Sequence, residues 1–328
     1  MKGKAVVFKR PGQVAFEEVS CPDPAEDQVV VNVTHSWISN GTEGSYLRGE
    51  RIDGDTPRRE GDPFPFPIVA GYQKVGLVDW VGSKIDDLKK GDSVFAIVGE
   101  IEGMFAPRGG HVSPSVSTRG SVFKLPINCD PVDYSGLVLT QVGYNCGARP
   151  QLEAGDAAVV VGDGLVGHWA AQMLTSRGAE VAIVGRHANR LALFNRGETL
   201  LEEGGVWVER LKERFPQGIQ VGVDTVGRIE IMEQLQNLMK PFGHLVSAGF
   251  YGPNDRFALQ PARYKELSID LVSGATPDRL LKTLELVEQG ILDTKSLITH
   301  RFPAARASEA WELINSGSES ALGVVLDW

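Results

Sequence analysis

The stretch 157–186 limits what this chain can fold into more than any other. An apolar run from Ala157 to Val161 enters Gly162-Asp163-Gly164-Leu165-Val166-Gly167 directly. A segment with helical spacing follows, Gly178 closes it, and a second apolar run spans Val181 to Val184. Strand, glycine turn, helix and strand within about 30 residues is the context that a dinucleotide fingerprint requires. Gly162 permits the tight turn, Gly164 lets backbone N–H groups approach a pyrophosphate, and Gly167 lets helix and strand pack closely. Leu165 and Val166 open the helix, whose N-terminus directs partial positive charge at the phosphates. The alternative reading is a purely structural glycine turn in an α/β sheet.

The end of the second strand bears on which dinucleotide fits. An NAD site usually places an acidic residue there, about 20 residues past the glycines, to bond the ribose 2′-OH. Here Gly185 holds that place, Arg186, His187 and Arg190 follow, and no carboxylate lies between Glu180 and Glu198. A 2′-phosphate needs room and cationic donors. Gly185 offers the room and Arg186 a planar donor fork. The pattern favours NADP over NAD, unless Arg186 and Arg190 only decorate a solvated loop. Gly249, just past a later strand candidate, completes the expected cofactor contacts.

At 328 residues the chain has room for two domains. Its 42% hydrophobic and 23% charged content are ordinary for a soluble globular protein. A net charge of −9 argues against a general nucleic-acid surface, and no basic run offers one locally. No apolar stretch reaches the length of a membrane span, and Met1-Lys2-Gly3-Lys4 leads into a strand rather than a signal peptide. Cys21, Cys129 and Cys146 are odd in number and widely spaced, so reduced thiols in a cytoplasmic protein are expected.

Residues 1–126 read mainly as strands, at Ala5–Phe8, Val14–Glu18, Gln28–His35, Val75–Val81, Ser93–Ile97 and Gly120–Leu125. The stretch from Arg48 to Pro67 is charged, proline-rich and aperiodic, and reads as an exposed loop. From about Asp130 the texture changes. Val159–Val161, Val181–Val184, Ile219–Val223, His244–Ala248 and Ile269–Val272 are candidate parallel strands, with helical spacing in segments such as Arg228–Met239. Strands alternating with helices imply βαβ units and a sheet covered on both faces. Helices at Pro277–Gln289 and Ala305–Ser316 flank a strand at Leu297–Phe302, and a terminal strand at Ala321–Asp327 returns to the first domain.

An all-β first half, a βαβ unit and a returning strand resemble the medium-chain dehydrogenase/reductase superfamily, with its GroES-like catalytic domain. The resemblance covers nearly the whole chain. Its markers are the segments Pro67–Gly76, Lys90–Val94, Gly109–Val112, Leu152–Asp156, Asp224–Gly227 and Ile298–Pro303. It implies an α/β architecture, a Rossmann dinucleotide-binding domain (127–291) joined to a GroES-like β-barrel catalytic domain (1–126 and 292–328). It also implies a homodimer in which edge strands near Ile269–Ser273 pair, which would cover an otherwise aggregation-prone edge.

The departures matter equally. Where zinc-bearing members of the family have a Cys and a His-Glu pair, this chain has Ser39, Tyr72 and Gln73, and Val138 to Thr140 offers no thiolate or imidazole. Residues 99–116 contain no cysteine for a structural zinc loop. A catalytic zinc needs three N, S or carboxylate ligands, so no zinc is expected. The resemblance places the loop of Ser39, Asn40, Gly41, Thr42 and Glu43, with Tyr46 and Tyr72, beside the nicotinamide. Tyr72 then donates a proton or hydrogen bond to a substrate oxygen, or merely fills the volume a zinc would take. Glu43 relays protons, or braces the following helix. The pairing of Ser-x-Gly-Thr-Glu with Gly-Tyr-Gln-x-Val-Gly is similar to a zinc-lacking subgroup that includes the bacteriochlorophyllide a dehydrogenases. Three readings stay open: a zinc-independent NADP(H) oxidoreductase of a secondary alcohol/ketone pair, a reductase of activated C=C bonds, and a non-catalytic nucleotide-binding protein.

Overall fold

The computed structural model describes every residue except 253, 318 and 319. The chain divides into two compact units, Met1–Val138 with Thr294–Trp328, and Leu139–Asp293.

In the first unit, Lys2–Arg10 pairs antiparallel with Gln13–Ser20, and Ala5, Val6, Val7 and Phe8 are all buried. These four residues have no solvent face, which is why the sequence shows a continuous apolar run there rather than alternation. The long strand Gln28–Ile38 pairs with Lys74–Val81 and, near its end, with Gly323–Asp327, setting Trp37 opposite Val325 and His35 opposite Asp327. The sequence therefore wraps its last strand back onto one of its first. Ile38, Leu47, Trp311 and Leu326 pack with Val6 and Phe8 in one cluster, where the rings of Phe8 and Trp311 meet edge to face at 5.3 Å.

Two expectations need correcting here. Thr42 and Glu43 are not in a loop but in the helix Asn40–Leu47, which Ser39 precedes. Two glycines and an asparagine hide that helix from any propensity argument, and burial of Leu47 beside Trp311 holds it in place. The stretch after it is not structureless either. Arg51–Asp53 pairs with Thr56–Pro57, and buried Arg51 reaches Ser45, the Gly54 carbonyl (3.1 Å) and Asp55 (2.7 Å).

The second unit holds a six-stranded parallel sheet in the order Glu198–Leu201, Glu180–Gly185, Ala157–Val161, Ile219–Asp224, Met239–Ser247, Ser268–Leu271. The strand order reverses at Ala157–Val161, the doubly wound arrangement whose switch point binds ligands at the carboxyl ends of the strands. Ala158 and Val160 pack with Ala170, Ala171 and Leu174. Val159 and Val161 pack with Trp207, Leu211 and Leu235. Alternate residues of one strand thus feed two cores, so both faces are covered. Glu198–Leu201 went unforeseen because four residues with two on the surface leave no apolar run to detect.

Candidate functional sites in the two units

In the nucleotide unit, each glycine of the turn answers to a measurable constraint. Gly162 has φ +122°, and a Cβ there would lie 2.1 Å from the Thr225 hydroxyl. A Cβ on Gly167 would lie 1.9 Å from the Gly162 carbonyl, so the helix seats directly on the turn. A Cβ on Gly164 would meet nothing within 4 Å. The helix Leu165–Ser176 thus begins at an unobstructed N-cap, Gly164, and among the described residues no side-chain hydrogen bond caps it. Its first-turn amides, at Leu165 and Val166, suit an anion such as a pyrophosphate.

A neighbouring turn is equally constrained. Buried Asp224 accepts hydrogen bonds from the amides of Val226 (2.7 Å) and Gly227 (3.2 Å) and from the Tyr251 hydroxyl (2.6 Å). Burial raises the Asp224 carboxyl above its ordinary range, and burial followed by the Asp224 charge raises the Tyr251 phenol. A Cβ on Gly249 would lie 2.1 Å from Gly227, so these two backbones touch.

The space expected at Gly185 is already filled. A Cβ there would lie 2.4 Å from the Cβ of Asp163 and 2.5 Å from its carboxylate. Asp163 accepts the His187 amide at 2.7 Å, its carboxylate lies 3.0 Å from the His187 ring Nδ1, and Arg190 stands 3.7 Å away. The second strand does end beside an acid after all. It comes from inside the glycine turn, where a search for acids after the strand cannot find it. Arg186 is exposed.

In the barrel unit, burial pushes the Tyr72 phenol up to about 12, opposed in part by the neighbouring hydroxyls of Ser39 and Thr42. Ser39 is buried, and its amide donates to Glu43 Oε1 at 2.8 Å. The other oxygen of Glu43 meets His111 Nε2 at 2.9 Å, with both residues buried. His111 Nδ1 lies 2.8 Å from Ser36 Oγ, which accepts the Trp328 indole N–H at 2.8 Å. A tautomer with the proton on Nε2 satisfies each of these partners. Nε2–H donates to the carboxylate, and the Ser36 hydroxyl donates to Nδ1. Tyr46 stands outside this network, its hydroxyl donating to the Gly54 carbonyl at 3.2 Å.

His111 is the residue that sequence reasoning missed, although Gly109–Val112 was singled out as a marker. Its seat is prepared by glycines. Gly71 has φ +79°, and a Cβ there would lie 2.5 Å from His111 Nε2. The amides of Gly110 and His111 both donate to the Ala70 carbonyl, at 3.1 and 2.8 Å. Below them lies Lys74, fully buried, its ammonium donating to the carbonyls of Gly110 (3.0 Å) and Gly109 (3.4 Å). Burial brings its pKa down to about 7.

Gln73, also buried, spends its amide on the Trp37 carbonyl at 3.3 Å. Among the described residues no three His, Cys, Asp or Glu side chains gather as a metal-ligand group. Among the same residues no helix is long and apolar enough to cross a membrane.

Residues 166–289 match the family model described as zinc-binding dehydrogenase. Over its full length the chain is 26% identical to 2-desacetyl-2-hydroxyethyl bacteriochlorophyllide A dehydrogenase of Cereibacter sphaeroides, covering 99% of that protein. Among solved structures it is similar to a short chain alcohol dehydrogenase from Escherichia coli CFT073 complexed with NADH (TM-score 0.86, 20% identity, 100% of this chain and 99% of that one). It is also similar to a Sinorhizobium meliloti 1021 protein named for a zinc-binding dehydrogenase and bound to NADP (TM-score 0.82, 18% identity, 100% of both chains).

Proposed function

We propose that this chain, which belongs to the medium-chain dehydrogenase/reductase superfamily and is an NAD(P)-dependent oxidoreductase, interconverts a secondary alcohol and a ketone with NADP(H) and without zinc. The observation that carries this reading is the buried Tyr72 phenol with the Ser39 and Thr42 hydroxyls as its neighbours, at the position that the family resemblance equates with a zinc ligand. A phenol raised to about 12 keeps its proton at neutral pH and so can donate a hydrogen bond, or a proton as hydride arrives, to a substrate oxygen. The nicotinamide, when bound, supplies or accepts the hydride. Ser39 and Thr42 orient the Tyr72 hydroxyl and the substrate oxygen. Glu43 and His111 act as positioning residues, one carboxylate oxygen fixing the amide of Ser39 and the other fixing the imidazole.

Zinc independence rests on side-chain chemistry at Ser39, Tyr72 and Gln73, none a normal zinc ligand. The name of the Cereibacter relative, a dehydrogenase of a hydroxyethyl group, favours alcohol/ketone chemistry over reduction of C=C bonds. Preference for NADP(H) rests on Arg186, exposed at the strand end where a 2′-phosphate would find a donor fork. A homodimer is in keeping with the edge position of Ser268–Leu271 and with Leu271 and Tyr264, 72% and 81% exposed. Three widely spaced cysteines, an odd number, fit a cytoplasmic setting.

NADPH oxidation against a panel of ketones, enones and quinones tests the reaction class. Turnover of ketones is expected. Turnover of enones alone would move the assignment to C=C reduction, and silence across the panel would favour a non-catalytic nucleotide-binding protein. Tyr72→Phe should lower turnover about 10²- to 10⁴-fold with NADPH affinity unchanged; near-normal turnover would reduce Tyr72 to a space filler. One equivalent of zinc by elemental analysis would refute the metal-free reading. Arg186→Ala should weaken NADP(H) about tenfold or more and spare NAD(H).

A further inference from the structure

We infer that Asp163 is a cofactor-specificity residue, kept compatible with a 2′-phosphate because His187 and Arg190 hold its carboxylate. The inference rests on the dinucleotide reading of the glycine turn and deepens it. Asp163 lies within the turn but leans over Gly185, occupying the volume where a side chain at position 185 would stand. That places a carboxylate at the end of the second strand, where an acid selects for a ribose 2′-OH. A free carboxylate there would repel a phosphate.

This one is not free. The His187 amide donates to it at 2.7 Å, the His187 ring nitrogen lies 3.0 and 3.1 Å from its two oxygens, and Arg190 flanks it at 3.7 Å. The Asp163 side chain is only 8% exposed, whereas Arg186 faces solvent. The arrangement separates two roles. Asp163 closes the strand end by bonding the chain that follows, and Arg186 is left to meet an incoming anion. Freeing the carboxylate from the His187 ring restores the acid of an NAD-type site.

Direct titration of the purified protein with NADPH and with NADH, followed by nucleotide fluorescence, tests this without any substrate. His187→Ala should raise the ratio of the NADPH to the NADH dissociation constant about fivefold or more, the size of one like-charge contact at about 4 Å in the dielectric of water. Asp163→Asn should lower that ratio. In the double variant the effect of His187→Ala should vanish, because no carboxylate remains to be freed. An unchanged ratio in His187→Ala with both nucleotides still bound overturns the inference alone. Failure of the unaltered protein to bind either nucleotide overturns the dinucleotide reading and the inference with it.

Discussion

Replacing Lys74 by Met should stabilise the protein at pH 6 and cease to do so at high pH. Lys74 is fully buried, and among the described residues no carboxylate pairs with it. Desolvation brings its ammonium from the ordinary 10.5 down to about 7, and nearby Cys21 opposes this only in part. That difference corresponds to about 5 kcal/mol between the charged and neutral forms. Between pH 7 and 10.5 the unfolded chain holds the proton that the folded chain has shed, so stability rises with pH across that window. Below it, the folded protein carries the full expense of a buried charge.

Met has a similar shape and no charge. Its substitution gives up two hydrogen bonds, but the Gly110 carbonyl keeps the Val112 amide at 2.9 Å, so the loss is about 1–2 kcal/mol. The net expectation for Lys74→Met at pH 6 is a gain of about 2–4 kcal/mol, within the range seen when buried ionic groups give way to apolar ones. By pH 10 the gain should be gone. Urea unfolding of both proteins at pH 6, 8 and 10 gives the difference directly, since groups that titrate in both cancel. A difference that does not change with pH would refute the reasoning and show that the ammonium is not desolvated.

Gly71→Ala combines a left-handed backbone with a Cβ 2.5 Å from His111 Nε2; it should lower stability by about 2–5 kcal/mol in chemical denaturation, and a neutral effect would mean that His111 is not seated there. His168 is buried with its pKa brought down to about 4 by desolvation, so the unfolded chain takes up its proton first as pH falls. Stability should decline between pH 6.5 and 4 by about 3 kcal/mol, a slope that His168→Leu removes and that thermal unfolding across that range measures. Leu271→Lys at the sheet edge should turn a dimer mass in light scattering into a monomer mass; a monomer in the unaltered protein would rule out the paired edges.

The parallel sheet was legible because its strands are apolar on both faces and its glycine turn has a fixed spacing. Contacts between residues distant in sequence were less so. Asp163 lies inside the turn motif, yet nothing in its sequence position says that it leans over Gly185, since that depends on the missing Cβ. The helix Asn40–Leu47 is a tertiary product, formed by poor helix formers because Leu47 has a core to enter. His111 was visible only as part of a marker. Its role emerges when Gly71, Ser36 and Glu43 converge on it from three separate segments.

The hydrogen bond from Trp328 to Ser36 spans 292 residues of sequence. A ribosome adds about 5–20 residues per second, so the serine waits about 15–60 s for its indole. During that interval the nucleotide unit, continuous from Leu139 to Asp293, emerges whole and free to fold, while the barrel lacks Thr294–Trp328. The stretch of the Gln28–Ile38 strand that later receives Gly323–Asp327 stays an open edge throughout. For a newly made chain, the vulnerable surface is therefore this half-finished barrel, and chaperones that shield exposed strands would act there.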